Sequence, residues 1–530
     1  MFRPASKICS FIAACAPFVF PCMDLQAQEW VDPLQSITEA ELRDHIHYLA
    51  SDFLKGRAAE DEGYLLAAHY GAVQFEAAGL EPMFTDSAGA PSFFQQIAFE
   101  NAKVSGASTM AVTVAEKSKA YRFTQDFLAL QLMAGGDLKT EDRPVFLGYG
   151  IEEPDLGWND YEGMDVTGKI AVIVGGAPTR NGEPVLPEEQ HKTYGNLQRS
   201  GRERVLPALS HGVSALILVD DTGSASLWDD LARMMDRPSL QPMSADPPQE
   251  GGRGSPPWII LIRPQEATEL LEGTDYDPLS GTGSPTPGPL DGIRVALDLK
   301  REVEPAFSAP NVVALLPGTD SILKNEYIVV TAHLDHVGVR DGEVYNGADD
   351  NASGSAAVLE AAEAAAMTPA KRSIIFVLLT AEEKGLLGAM HFADNPPVPI
   401  ENIVLNINLD MVGRNSPDWP ESLLAMGSEN RRPELLELIR DVNSQVGANL
   451  DWRLNEGTDP HAHVQRSDQL AFMQKGIPAI LITRGFMGPD YHRSSDDPET
   501  INYGKVTEAA RLAFALAIEA GNRAVLFGGE

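Results

Sequence analysis

Three apolar, β-branched runs in this 530-residue chain end in residues that an ordinary loop does not need. Tyr327 to Thr331 runs into Ala332-His333-Leu334-Asp335-His336, and Ile374 to Thr380 runs into Ala381-Glu382-Glu383-Lys384-Gly385. Ile403 to Leu409 runs into Asp410-Met411-Val412-Gly413-Arg414. Between the first two lies Gly347-Ala348-Asp349-Asp350-Asn351-Ala352-Ser353-Gly354, a turn that opens a helix, and downstream Tyr491-His492 precedes another acidic loop. Imidazoles and carboxylates converging at one place suit a divalent cation of hard to borderline character, and zinc in particular accepts that mixture of nitrogen and oxygen. All three cysteines, Cys9, Cys15 and Cys22, fall in the first thirty residues, so no thiolate contributes. Five ligands exceed the three that one tetrahedral catalytic zinc takes from protein. Two metals sharing a bridging carboxylate account for the surplus.

Those residues need a scaffold that brings distant segments to one edge. From Asn311 onward strand-like runs alternate with helical spacing: Val312 to Leu316, Tyr327 to Thr331, Ile374 to Leu379, Ile403 to Leu409 and Ala479 to Ile482 read as buried strands. Ser355 to Ala366, Glu434 to Val446 and Lys505 to Ala520 read as helices between and after them. That alternation predicts an α/β domain with a mixed, mostly parallel sheet flanked by helices on both faces. In such sheets ligands bind beyond the carboxyl ends of the strands, where the candidate residues fall. Upstream, Leu42, Ile46, Leu49 and Leu54 mark a helical stripe and Tyr64 to Ala68 begins a second that ends at Gly79. Phe93 to Leu130 carries shorter, strand-like runs. Near Arg143 the texture changes to short β-rich runs at Val145, Ile170, Ala215 and Trp258, which predicts an inserted β-rich domain. Asp220 to Pro257 shows little periodicity and reads as a long surface loop, and Ser280 to Pro289 as a flexible linker.

The ordered motifs resemble a known family, the zinc aminopeptidases that include bacterial leucyl aminopeptidases, glutamate carboxypeptidase and the transferrin receptor. The matching segments, in the family's order, are Ala332-His-Leu-Asp, Gly347-Ala-Asp-Asp-Asn-Ala-Ser-Gly, Ala381-Glu-Glu-Lys-Gly-Leu-Leu-Gly, Asn408-Leu-Asp-Met-Val-Gly and Tyr491-His. The resemblance implies the phosphorylase/hydrolase-like zinc exopeptidase fold and two zinc ions. It assigns His333 and Asp410 to one metal, Glu383 and His492 to the other, and Asp350 as the bridge. By the same resemblance Glu382 is the general base, Asp335 the partner that fixes the His333 imidazole, and Tyr491 a donor to the tetrahedral oxyanion. The stretch from about Arg143 to Leu290 resembles a protease-associated domain through Gly148-Tyr-Gly-Ile, Asp165-Val-Thr-Gly-Lys-Ile-Ala-Val and His211-Gly-Val-Ser-Ala-Leu-Ile. The implied organisation is a signal peptide at 1–27, the N-terminal part of a peptidase domain at 30–143, the insert at 144–290 and the dinuclear catalytic part at 291–530. One departure is visible: where relatives often have Ser-Asp-His, this chain has Ser467-Asp468-Gln469, which concerns substrate positioning rather than the metals.

Each residue alone has a plainer reading. A single histidine is more often structural, Asp349-Asp350-Asn351 could be a turn with Ser353 capping the next helix, and Glu382-Glu383 could open a solvated helix. Their joint placement after consecutive strands removes those options. Adjacent residues in extended chain point to opposite sides, so Glu382 and Glu383 need a turn or bulge to address one site. His336, His391, His461 and His463 show no partner pattern and read as surface or pocket-lining residues.

The net charge of -35 repels polyanions and excludes nucleic acid as a partner. Arg3 and Lys7 lead an apolar run from Ile8 to Met23 followed by Leu25-Gln26-Ala27, the pattern of an export signal. Ile12-Ala13-Ala14-Cys15 also resembles a lipoprotein cleavage site, with a short apolar run before it; the secretory reading is preferred. No later apolar stretch is long enough for a transmembrane span in the mature chain. The expectation is thus an exported peptidase, periplasmic or secreted, acting on peptide substrates. The alternatives are a carboxypeptidase or dipeptidase, for which Arg414, Arg484 and Arg493 could receive a free carboxylate, and a receptor-like relative that has lost its metals. Every metal ligand is retained, which speaks against the last.

Overall fold

The computed structural model describes residues 31–131, 136–180, 182–195, 197–219, 225–243, 258–415, 422–427, 433–456, 463–485 and 488–527. The expected signal segment with Cys15, and His461, lie outside them. No helix among the described residues is long and apolar enough to cross a membrane.

Helix α1 (Glu39–Leu49) starts where Thr38 accepts the Glu41 N–H through its hydroxyl, and buries Leu42, Ile46 and Leu49, the stripe expected from their spacing. Helix α2 (Glu62–Ala77) buries small residues, and a Cβ on Gly71 would sit 2.5 Å from Leu378, so the helix lies close against the sheet. The main sheet contains β1 (Phe94–Val104), β2 (Arg301–Leu316), β3 (Tyr327–His333), β4 (Ser373–Leu379), β5 (Ile403–Leu409), β6 (Leu423–Gly427) and β7 (Ala479–Thr483). Its order is β1-β2-β4-β3-β5-β7-β6, with Ser239–Pro242 beyond β1 and Leu450–Asp451 beyond β6. The central strands β4, β3, β5 and β7 are parallel, β1 and β2 run antiparallel to their neighbours, and β6 runs antiparallel to β7 but parallel to Leu450–Asp451. This is the mixed sheet that the alternating pattern predicts, with its parallel pairing concentrated in the four central strands.

All seven residues of β4 are buried, which explains why it reads as an unbroken apolar run. Ile374, Phe376 and Leu378 face the core under α1, α2, α3 (Gly354–Met367), α5 (Pro433–Val446) and α7 (Tyr503–Asn522), with α4 (Leu387–Asp394) on the other side. Ile375, Val377 and Leu379 pack against Phe392 of α4 and Phe472 of α6 (Gln469–Gln474). Each large side chain so buried contributes about 1.5–3 kcal/mol.

A second core is built around a six-stranded sheet with the order Gly288–Pro289, Val145–Phe146, Ile170–Val174, Ala215–Val219, Trp258–Ile262, Phe127–Gln131. The three strands from Ile170 to Ile262 are parallel. Thr109–Val114, Lys117–Arg122, Leu138–Asp142 and Ile293–Leu299 form a four-stranded antiparallel sheet beside it. This core draws strands from both sides of 144–290, because spacing marks where strands lie but not which strands pair. Two expectations of irregular chain need correction. Within Asp220 to Pro257 lie a helix at Ala225–Met235 and the strand Ser239–Pro242, which edges the main sheet against β1. The helix is anchored by Trp228, buried, whose indole donates to the Thr124 carbonyl at 3.2 Å. The linker reading of Ser280 to Pro289 gives way to two short pairings, Thr282–Gly283 with Tyr276–Asp277 and Gly288–Pro289 with Val145–Phe146.

Candidate metal centre

His333 is the last residue of β3 and is buried. Its Nδ1 donates to the main-chain carbonyl of Asp335 at 3.1 Å, which leaves Nε2 as the unprotonated nitrogen of the neutral ring. That Nε2 lies 3.3 Å from Oδ1 of Asp350 and 3.3 Å from Oδ1 of Asp410, the residue that follows β5. A nitrogen lone pair facing two carboxylate oxygens is repulsive unless a cation or an added proton lies among them. The Asp335 carboxylate stands 4.0 Å from the ring, so this residue fixes the imidazole through its carbonyl rather than through the carboxylate the sequence suggests.

The carboxylate of Asp335 does other work. Ala381 adopts a left-handed conformation (φ 52°, ψ 37°) and a single 3-10 turn, Glu382–Lys384, follows. This reversal is the turn that lets two adjacent glutamates address one place, and the Asp335 oxygens accept the N–H groups of Glu382 at 3.0 Å and Glu383 at 3.3 Å. Glu382 joins His333 and Asp410, with one donor atom from each within 4.8 Å of the others. Glu383 turns to the second group: Oε2 is 3.0 Å from His492 Nε2 and Oε1 is 2.8 Å from His336 Nδ1.

Between the groups stands Asp350. Its main-chain N–H and that of Asp349 donate to Asp496 at 3.0–3.1 Å. The two aspartates then part: Asp349 accepts from Arg484 at 2.6 Å and from the Gly413 N–H at 2.6 Å, while Asp350 faces inward. Asp350 directs Oδ1 to His333 and Oδ2 to His492 Nε2 at 3.2 Å, one oxygen to each side. The next residue closes the turn, for Asn351 accepts the N–H groups of Gly354 at 2.9 Å and Met411 at 3.1 Å. Asn351, not Ser353, therefore caps α3; the Ser353 hydroxyl donates to the Asp349 carbonyl at 2.7 Å. Tyr491 stacks on His492 with ring centres 3.9 Å apart.

The residues fit a pair of cations. Glu383 Oε1, His492 Nε2 and both ring nitrogens of His336 are buried without a hydrogen-bond partner among the described residues, although they approach to 2.8–3.0 Å. Close approach without hydrogen-bond geometry is what donor atoms show when they surround a shared centre. As side chains alone they perturb one another strongly. Burial, reinforced by Asp410, Asp468 and Glu383, holds the Glu382 carboxyl well above its usual range. Burial also pushes Asp335 up to about 6 and Asp468 up to about 8. It opposes the charged ring of His492, but Asp350 and Glu383 lift that group to about 9. Burial likewise raises Tyr491, with Asp350 and Glu383 adding to it, so the phenol keeps its proton at neutral pH.

All eight expected site residues, His333, Asp335, Asp350, Glu382, Glu383, Asp410, Tyr491 and His492, gather here. Four more belong with them. His336, expected at a surface or pocket lining, is fully buried against Glu383 and His492; its place directly after Asp335 was the available signal. Arg57 is buried and donates to the carbonyls of Leu49, Leu334, Asn346 and Gly347, a long-range clamp that no local spacing marks. Asp468 is buried with neither oxygen hydrogen-bonded among the described residues, and Asp496 holds the Asp349-Asp350 turn. Gln469 at the departing motif position is buried and accepts from Asn408 at 2.9 Å, so it braces β5 from inside. His391 is half-buried on α4, and His463 is buried.

A mixed α/β sheet whose parallel strands deliver imidazoles and carboxylates to one edge is the arrangement of a metal-dependent hydrolase. Residues 311–517 match the model of peptidase family M28. Aminopeptidase YwaD of Bacillus subtilis (strain 168) is 29% identical over 203 residues, 37% of this chain and 41% of the relative. A probable leucine aminopeptidase of Trichophyton verrucosum is 26% identical over 245 residues, 44% of this chain and 62% of the relative. The chain thus spans less than two thirds of the length of either. Among solved structures, an aminopeptidase from Aneurinibacillus sp. strain AM-1 is 20% identical, covering 94% of this chain and 97% of that one with a TM-score of 0.48.

Proposed function

We propose that this chain is an exported aminopeptidase with two zinc ions in one site, hydrolysing peptides from the N-terminus. The carrying observation is Asp350, whose two oxygens address two separate donor groups at 3.3 and 3.2 Å. On this reading His333 and Asp410 hold one ion, Glu383 and His492 the other, and Asp350 both. Zinc bound there supplies Lewis-acid polarisation of a peptide carbonyl and lowers the pKa of water toward neutrality. Glu382, packed beside His333 and Asp410, takes the proton of the attacking water and returns it to the departing amine. The Tyr491 phenol, protonated at neutral pH, donates to the developing oxyanion. Asp335 keeps both glutamates on their turn. Export rests on residues 1–27, and residues 144–290 are read as a protease-associated insert, which the parallel strands Ile170–Val174, Ala215–Val219 and Trp258–Ile262 support.

The carboxypeptidase alternative needs a cation free to meet a substrate carboxylate. Arg414 is paired with Asp490 and Asp496 at 3.2 Å, and Arg484, buried, with Asp349. Arg493 is exposed on the loop and is the one remaining candidate of the three. The separating experiment uses one peptide in free, N-acetylated and C-amidated forms, with and without a chelator. N-acetylation and chelation are expected to abolish turnover while C-amidation leaves it. Turnover of the N-acetylated peptide with loss on C-amidation would establish the carboxypeptidase.

A further inference from the structure

The two donor groups are unequal, and the inequality rests on His336. This residue is fully buried, and neither of its ring nitrogens has a hydrogen-bond partner among the described residues. Nδ1 is 2.8 Å from Glu383 Oε1 and 3.8 Å from Asp350 Oδ2. The ring meets that of His492 edge-on, with centres 5.7 Å apart. Its placement is fixed from both sides. The His336 N–H donates to the Arg57 carbonyl at 3.1 Å, and a Cβ on Gly347 would fall 2.5 Å from the imidazole, so the glycine (φ +60°) closes against the ring. An imidazole left unpartnered in a buried pocket forfeits its hydrogen bonds to water, a destabilising loss. Coordination would recover it.

We propose that His336 Nδ1 is a further ligand of the second ion, alongside Asp350, Glu383 and His492. This rests on the two-ion reading above and deepens it. Four protein groups then surround the second ion, against His333, Asp350 and Asp410 at the first. Closed four-ligand environments are those of structural zinc, whereas catalytic zinc keeps a position open. The second ion is accordingly the tightly held, slowly exchanging one, and the first offers the open position. Glu382, the base, stands on that first side.

The test strips the full chain with a chelator and titrates it back with Zn2+ against a chromophoric competitor, and with Co2+ followed by visible absorption. Wild type should take two equivalents of unequal affinity. In His336→Ala the tighter ion should weaken roughly 100-fold or more, since losing even an outer partner of a ligand costs 10–100-fold. Its Co2+ bands should also change, while the other ion binds as before. His336→Gln, which preserves bulk, serves if the alanine variant fails to fold, and should show the same loss. Wild-type affinity and an unchanged Co2+ spectrum in the folded variants would overturn the assignment while two equivalents still bound. Fewer than two equivalents in wild type would overturn the two-ion reading itself, and this assignment with it.

Discussion

Replacing Arg57 by methionine tests whether the centre is held by its loops or by the metals alone. The guanidinium donates to four main-chain carbonyls: Leu334 at 2.8 Å, Asn346 at 2.7 Å, Gly347 at 2.9 Å, and Leu49. Those carbonyls belong to the end of α1, the loop after β3 and the turn that carries Asp350. Methionine fills part of the volume but leaves all four oxygens buried and unmatched. At about 1–3 kcal/mol each the sum would be large, but relaxation and entering water reduce it, and burial of the charge, which lowers Arg57 to about 10, is relieved. The expected net loss is about 3–5 kcal/mol, in the range of breaking one partner out of a buried charged network. Two cores make simple two-state unfolding a poor assumption. The quantity to follow is therefore the urea transition that shifts with added zinc. Arg57→Met should lower its midpoint and weaken zinc binding together, and Arg57→Lys, with three donors on one atom, should recover less than half of the loss. A shift under about 1 kcal/mol with unchanged zinc affinity would refute the clamp.

Other perturbations follow from the same geometry. Glu382→Gln should retain both ions and lose about 10²–10⁴ in kcat, checked by metal analysis beside steady-state rates; near-normal turnover would remove Glu382 as the base. In zinc-stripped protein, His492 titrates near 9 when folded against about 6.5 unfolded, so its pairing stabilises fully below about 6.5 and is lost as pH rises through about 9. Melting curves from pH 6 to 10 should show that decline, and His492→Asn should flatten it. Phe376, fully buried in β4 and facing Phe75, should cost about 3–5 kcal/mol when cut to alanine, with metal affinity in the surviving folded fraction little changed.

The strands and helices of the main sheet were legible because both of their signals are local. Ile403–Leu409 appears at its predicted limits, and the helix predicted from Ser355 to Ala366 runs from Gly354 to Met367. The clustering of the candidate residues was legible because most of them follow a strand directly or sit on a distinctive turn. What spacing could not convey was direction and pairing. The capping role of Asn351 rather than Ser353 depends on which side chain reaches Gly354, and the clamp at Arg57 depends on carbonyls up to 290 residues away. His336 was missed because its place directly after Asp335, the one signal in the sequence, does not show that the turn at Ala381 brings Glu383 to it. Phe127–Gln131 was not separable from its surroundings, since its membership in the second core is decided by pairing with Trp258–Ile262.

The shared grip of Asp335 on the Glu382 and Glu383 N–H groups couples two duties that chemistry could have kept apart. On the proposed assignment the proton carrier and a cation ligand ride on one three-residue turn, so neither can be repositioned without moving the other by a comparable amount. Tuning of such a centre is therefore confined to groups outside that unit, and any substitution that tilts it will change proton transfer and metal retention in step.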